Sequence, residues 1–254
     1  MGTEIQQNEN GSRKIMELIK KDKSKRIELL DALRGLAIVL MVAHHFLYDA
    51  VQFLDAPDRL FHNPVFDALQ PFFAGAFICL SGISSDFSSG NLKRGLFTLA
   101  VACIVTAVTC AVGMPIIFGV LHLLAVCMIF YGLTQKLWQR LPQGILLILF
   151  LVLSFLSQHI VSTVTAESDK LWILGFHTKD FVSYDYFPLL PWFFVFMTGT
   201  AIGYFIKAKK FPHWFYNAKI PVLPAIGRYS LFIYLGHQPV LFVITMILQK
   251  IICH

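Results

Sequence analysis

The sequence predicts an all-α fold, a polytopic bundle of about seven membrane-spanning helices, and three observations carry that expectation. Apolar residues make up 56% of the 254 and charged residues only 14%, whereas a soluble domain carries about a quarter charged residues. Mean hydropathy is +0.65, and apolar runs of about 20 residues, the length that crosses a bilayer, recur seven times. The basic residues also alternate with the runs. With the N-terminus inside, only Arg59, Lys170, Lys179 and Lys250 of the 21 Lys and Arg fall outside, as the positive-inside rule requires.

Residues 1–26 form a basic cytoplasmic segment: 2–12 read as disordered, and 15–25 as a short amphipathic helix on the membrane surface. The segment leads into an apolar stretch with no small-residue cleavage site, which reads as a retained signal anchor. Residues 27–254 form the membrane domain. Its first span is expected at 29–53, followed by a loop holding Pro57 and Pro64, and the second at 66–85, ending in a Ser-Ser-Gly-Asn turn. The third, at 93–112, is broken by Gly113 and Pro115. The fourth is placed at 116–133, the fifth at 145–164 and the sixth at 187–206, after the longest polar interruption, 165–185. A basic, proline-containing loop then leads to a seventh span at 228–251, which puts His254 outside. No internal repeat is visible.

The composition sets aside several function classes. The net charge of +6 gathers at span ends, where it serves orientation and anionic lipid headgroups rather than nucleic acid. Cys79, Cys103, Cys110 and Cys127 lie inside apolar stretches and read as packing residues. There is no phosphate-cradling glycine loop, no HExxH, no GxSxG and no CxxC pair, and no metal is expected.

The informative residues are ionisable groups at membrane depth, which are functional candidates by default. The first span holds Asp31, Arg34, His44, His45 and Asp49. At about 100° per residue, Arg34 and His45 lie within about 20° of each other and about 16 Å apart along the axis. Asp31 and Asp49 join the same stripe, while His44 points about 100° away. One helix face thus carries a guanidinium able to grip phosphate at one end and an imidazole able to act as general base at the other. Asp49 is placed to fix the imidazole's tautomer. The alternative is an interfacial arginine and an interhelical histidine.

Other candidates sit at the same two levels. Lys93 and Arg94 open the third span, where their charge favours an anion or simply marks the inner side. His62 and Asp67 flank the outer entrance of the second span, whose inner half, with Ser81, Gly82, Ser84 and Ser85, is small and polar enough for close packing. His122 at the start of the fourth span and Asp185 before the sixth read as lining the outer vestibule. Arg228 opens the seventh span, and His237, followed by Gln238-Pro239, lies near its middle.

These residues fall within recognisable segments. The stretch LDALRGLAIVLMVAHH at 30–45 resembles the first helix of transmembrane acyltransferases, with the arginine–x10–histidine spacing of the acyltransferase-3 family. PFFAGAFICLSGISS at 71–85, NLKRG at 91–95, FGVLH at 118–122, FPLLPW at 187–192 and IGRYSLFIYLGHQP at 226–239 resemble, in order, segments of small bacterial proteins related to heparan-α-glucosaminide N-acetyltransferase. The resemblance covers roughly residues 26–245.

The resemblance implies an acyl-CoA-dependent membrane acyltransferase, with acetyl-CoA as donor and an extracytoplasmic glycan or glycolipid as acceptor, in the plasma membrane. It puts Arg34 in the CoA-side role, with Lys93, Arg94 and Arg228 around it, and His45 in the catalytic position of the acyltransferase-3 pattern. In the heparan-type enzyme the place near His45 is an asparagine and the active histidine lies further on, where His62 is the nearest match. The catalytic candidates are therefore His45, His62 and Asp49, with His44, Asp67, His122, Asp185 and His237 in the substrate vestibule. Membrane lipids and the acceptor are the expected partners, nucleic acid is not, and a homodimer is compatible with this class. The alternative is a small-solute or proton-coupled transporter using the same ionisable groups as a relay.

Overall fold

A computed structural model describes residues 26–252. The expectations for residues 2–12, for the surface helix at 15–25 and for the position of His254 lie outside the described residues. Among the described residues, seven helices are long and apolar enough to cross a membrane. They are α1 (Glu28–Phe53), α2 (Pro64–Phe87), α3 (Asn91–Ala111), α4 (Val120–Trp138), α5 (Gln143–Thr163), α6 (Leu189–Lys207) and α9 (Ser230–Ile252). Two short helices, α7 (His213–Asn217) and α8 (Leu223–Arg228), stand between α6 and α9.

Local chemistry sets the ends. The Asn63 side chain accepts from the Val65 and Phe66 N–H groups at 3.1 Å each, and Pro64 occupies the first turn of α2. Gly113, at φ 77°, turns the chain out of α3, and Pro115 prevents its return. Within the spans, several hydroxyls satisfy themselves on their own helix: Ser81 donates to Phe77 O, Thr198 to Phe194 O and Thr245 to Leu241 O. A serine or threonine there needs no polar neighbour.

The sequence places the spans to within a few residues, and the largest shift is at α4. Residues 116–119 are apolar but not helical. Phe187 N–H donates to Phe118 O at 2.9 Å and Tyr184 N–H to Pro115 O at 3.1 Å, pinning this segment against the chain that enters α6. The helix begins only at Val120.

The core is formed by α2, α4, α5 and α6, where Ile78, Leu123, Cys127, Phe150, Phe196 and Met197 are buried together. The outer face of α5 is apolar and bare: Phe155 is 76% exposed and Ile145 65%. Patches of that kind on a helix this hydrophobic face lipid. Helix α1 stands to one side, packed against α2, α8 and α9.

Glycines let the backbones meet. A Cβ on Gly35 would collide with the Leu223 carbonyl, and one on Gly227 with the carbonyl of Asp31, so α1 and α8 cross with no side chain between them. Small residues give this close approach in membrane bundles, where packing rather than the hydrophobic effect holds helices together.

Candidate active site

Helix α1 carries the polar groups, and its neighbours complete them at two levels. At the first, Asp31 and Arg34 lie one turn apart, so the Arg34 guanidinium reaches back to Asp31 Oδ1 at 3.0 Å. Its other terminal nitrogen donates to the Ser84 hydroxyl on α2, which in turn donates to Leu80 O at 2.8 Å. Arg228, delivered by the α1–α8 crossing, sits with Nε 3.5 Å from Asp31 Oδ2. One carboxylate therefore holds two guanidiniums, one on each oxygen. Arg94 at the start of α3 lies within electrostatic range of Arg34. Lys93 and Arg94 are exposed.

The second level lies eleven residues further along α1. His45 Nδ1 is 2.9 Å from Met41 O, and His237 Nδ1 on α9 is 2.6 Å from Tyr234 O. A carbonyl only accepts, so each ring carries its proton on Nδ1 and leaves Nε2 as a lone pair. The two rings meet edge to face, with centroids 4.8 Å apart. One residue on, Gln238 Nε2 donates to both oxygens of the buried Asp49, at 3.2 and 3.4 Å. Asp49 therefore contacts α9 rather than the His45 ring.

Tyr234, three residues before His237, donates its hydroxyl to Asp185 Oδ2 at 2.7 Å. The same oxygen accepts from Val120 N–H at 3.1 Å, and His45 and His122 lie within electrostatic range of this carboxylate. Burial pushes the Asp185 carboxyl above the ordinary carboxylate range, against the opposing pull of Tyr234 and Val120.

The remaining candidates fall around this centre. The His44 ring lies 5.8 Å from that of His45, nearly perpendicular to it, and packs on Phe61 and Phe66. His62 is exposed at the rim, 3.7 Å from Asp58 and packed on Phe61, and Asp67 is exposed beside it. His122 has both nitrogens engaged. Thr106 gives its proton to Ile116 O at 2.6 Å and so accepts from His122 Nε2 at 3.2 Å, while His122 Nδ1 accepts from Gly119 N–H at 3.3 Å. That imidazole fastens the turn into α4.

The structure brings together Arg34, Arg228 and Arg94 at one level, and His45, His237, Asp49 and Asp185 at the other. Asp31, already part of the α1 stripe, completes the first cluster together with Ser84, and Tyr234 and Gln238 complete the second; sequence reasoning assigned Ser84, Tyr234 and Gln238 no role in a site. Tyr234 and Gln238 were within reach of sequence reasoning, since both flank His237 on its own helix.

A further polar cluster has no counterpart in the sequence reading. Asp86, at the end of α2, has a side chain only 1% exposed. It accepts from the Tyr131 hydroxyl at 2.8 Å and Gln139 at 2.9 Å, and Lys207 lies 3.1 Å from its second oxygen. These contacts tie the ends of α2, α4 and α6 together.

Seven apolar spans enclosing ionisable clusters define a multi-pass helical membrane protein. The family model described as heparan-alpha-glucosaminide N-acetyltransferase, catalytic, matches residues 26–239, and the chain belongs to that family of membrane acetyltransferases. No curated protein and no solved structure matched the chain.

Proposed function

We propose that the chain moves an acetyl group from acetyl-CoA to a hydroxyl or amine of an extracytoplasmic glycan or glycolipid, with residues 27–254 as the transferase domain in the plasma membrane. The observation that carries this reading is the arrangement on α1: cations gathered at one end, and, about 16 Å along the same face, an imidazole whose Nε2 has no hydrogen bond. The basic residues sort so that the Arg34 end faces the cytoplasm, where acyl-CoA is supplied. Arg34, held by Asp31 and Ser84, offers donors to the phosphates of CoA together with Lys93, Arg94 and Arg228. The pantetheine arm then presents the thioester to the His45 end.

There His45 Nε2 takes the proton of the incoming hydroxyl or amine as general base. Its support over His62 is the buried setting shared with His237 and Asp185, against the exposed rim position of His62. Asp185 and Tyr234 line the space the acceptor would enter. The test is incubation of purified protein with acetyl-labelled acetyl-CoA and a lipid-linked glycan fraction. Label in the glycan supports the reading. Label remaining wholly on CoA, with protein that is folded and binds CoA, overturns it.

A further inference from the structure

Two imidazoles from the first and last described spans meet at 4.8 Å, each with its Nδ1 on a carbonyl of its own helix. They differ in one respect: His237 Nε2 is sealed from its surroundings and has no hydrogen-bond partner. A buried acceptor left without a donor is a liability, and a phenyl ring would make the same ring contacts with His45 and Tyr234 without it, giving up only the Nδ1 hydrogen bond to Tyr234 O. Packing therefore does not account for histidine at this position. The adjacent Gln238–Asp49 contact holds α9 in register with α1, so the His237 ring is fixed against its neighbour.

We propose that His237 is a positioning residue for His45, its Nε2 lone pair held ready for the N–H that appears on His45 during transfer. This rests on the reading of His45 as the base. In the step, the O–H or N–H bond of the acceptor breaks and its proton goes to His45 Nε2. The freed lone pair bonds to the thioester carbonyl carbon, the C–S bond breaks, and the departing thiolate takes the proton from His45. His237 exchanges no proton. It accepts a hydrogen bond from the His45 imidazolium, the charged state that exists only while the proton is in transit, and so acts on the rate rather than on binding.

The test compares the full chain with His237→Phe and His237→Gln, whose amide oxygen reaches the place of Nε2. One readout needs no acceptor: the pH dependence of the rate at which diethyl pyrocarbonate, which reacts only with the unprotonated ring, modifies His45, followed by peptide mass spectrometry. The other is release of CoA thiol from acetyl-CoA with glucosamine as probe acceptor. The Phe variant should move the midpoint of His45 modification to lower pH, because the imidazolium has lost its acceptor, and lower kcat roughly 10- to 100-fold, the size of one hydrogen bond to a charged group. KM for acetyl-CoA should stay unchanged, and the Gln variant should recover part of both effects. An unchanged midpoint of His45 modification in a folded Phe variant overturns the proposal, whatever the turnover. If Phe does not fold, His237→Asn, which leaves the Nε2 position empty, answers the same question. Full turnover in His45→Ala would instead sink the reading of His45 as base and leave the modification result standing by itself.

Discussion

The two ends of α1 are built from similar materials and finished differently. Around Arg34 charge meets charge: Asp31 holds Arg34 and Arg228, and Ser84 takes the remaining terminal nitrogen of Arg34. Around His45 the contacts stop short. His45 and His237 each satisfy Nδ1 and leave Nε2 open, and Gln238 Oε1 is buried without a partner. A paired cluster holds a shape; a cluster with lone pairs in reserve has somewhere to put a proton. That contrast is the ground on which we propose binding at the first end and chemistry at the second.

The comparison breaks most visibly at the imidazoles. His45→Ala should lower acetyl transfer on the order of 10²–10⁴-fold, the range for loss of a general base, while His62→Ala, exposed and paired only with Asp58, should stay within about 3-fold. Steady-state rates of the two purified variants decide it. The reverse pattern would move the chemistry to the rim.

At the other end, Arg34→Ala should weaken acetyl-CoA binding by about 1.5–3 kcal/mol, as for a charge-assisted contact, with kcat at saturating donor far less affected. Isothermal titration of folded protein with CoA measures it, and unchanged affinity would reduce Arg34 to a brace for Asp31. Gly35→Ala forces a methyl into the Leu223 carbonyl and should destabilise by about 1–3 kcal/mol, seen as a lower Tm in detergent. It should also weaken CoA binding, because the crossing it opens is what delivers Arg228.

The smallest effects come from two carboxylates of the 164–188 segment that titrate in opposite senses. Asp169 is held below the ordinary range, chiefly by the Thr178 N–H at 2.6 Å. Its contribution is present above the unfolded pKa and lost as pH falls through the folded one. Asp185 is held above that range by burial, so its contribution is present below the unfolded pKa and lost as pH rises through the folded one. Tm followed across about pH 3–7, the window around an ordinary carboxylate pKa, should show Asp169→Asn losing an acid-side decline and Asp185→Asn losing an alkaline-side one. A common shift of both curves would show that neither carboxylate titrates as described.

The spans were legible in the sequence because a bilayer crossing needs a long apolar window and little else. The start of α4 was not, since Ile116, Ile117 and Phe118 are as apolar as a helix and differ only in where their backbone hydrogen bonds go. Helices α7 and α8 were hidden inside a loop rich in lysine and proline. The stripe from Arg34 to His45 followed from helical periodicity alone. Its completion did not, because the pairing of His45 with His237 and of Asp49 with Gln238 depends on which helix packs beside α1, and a single sequence carries no record of that. Asp86 was passed over for the same reason: its partners come from two other helices.

The contact between Asp49 and Gln238 joins residues 189 positions apart, and that span has a consequence for how the protein is made. Helix α1 is the first described span to leave the ribosome and α9 the last. Throughout the synthesis of the five spans between them, Asp31 must wait in the membrane without Arg228, His45 without His237 and Asp49 without Gln238. A chain stopped before α8 would hold six apolar spans and the whole Asp86 cluster, yet leave a charged, half-finished face on α1 for quality control to find. The C-terminal segment is thus the point at which a nascent chain becomes distinguishable from a truncated one.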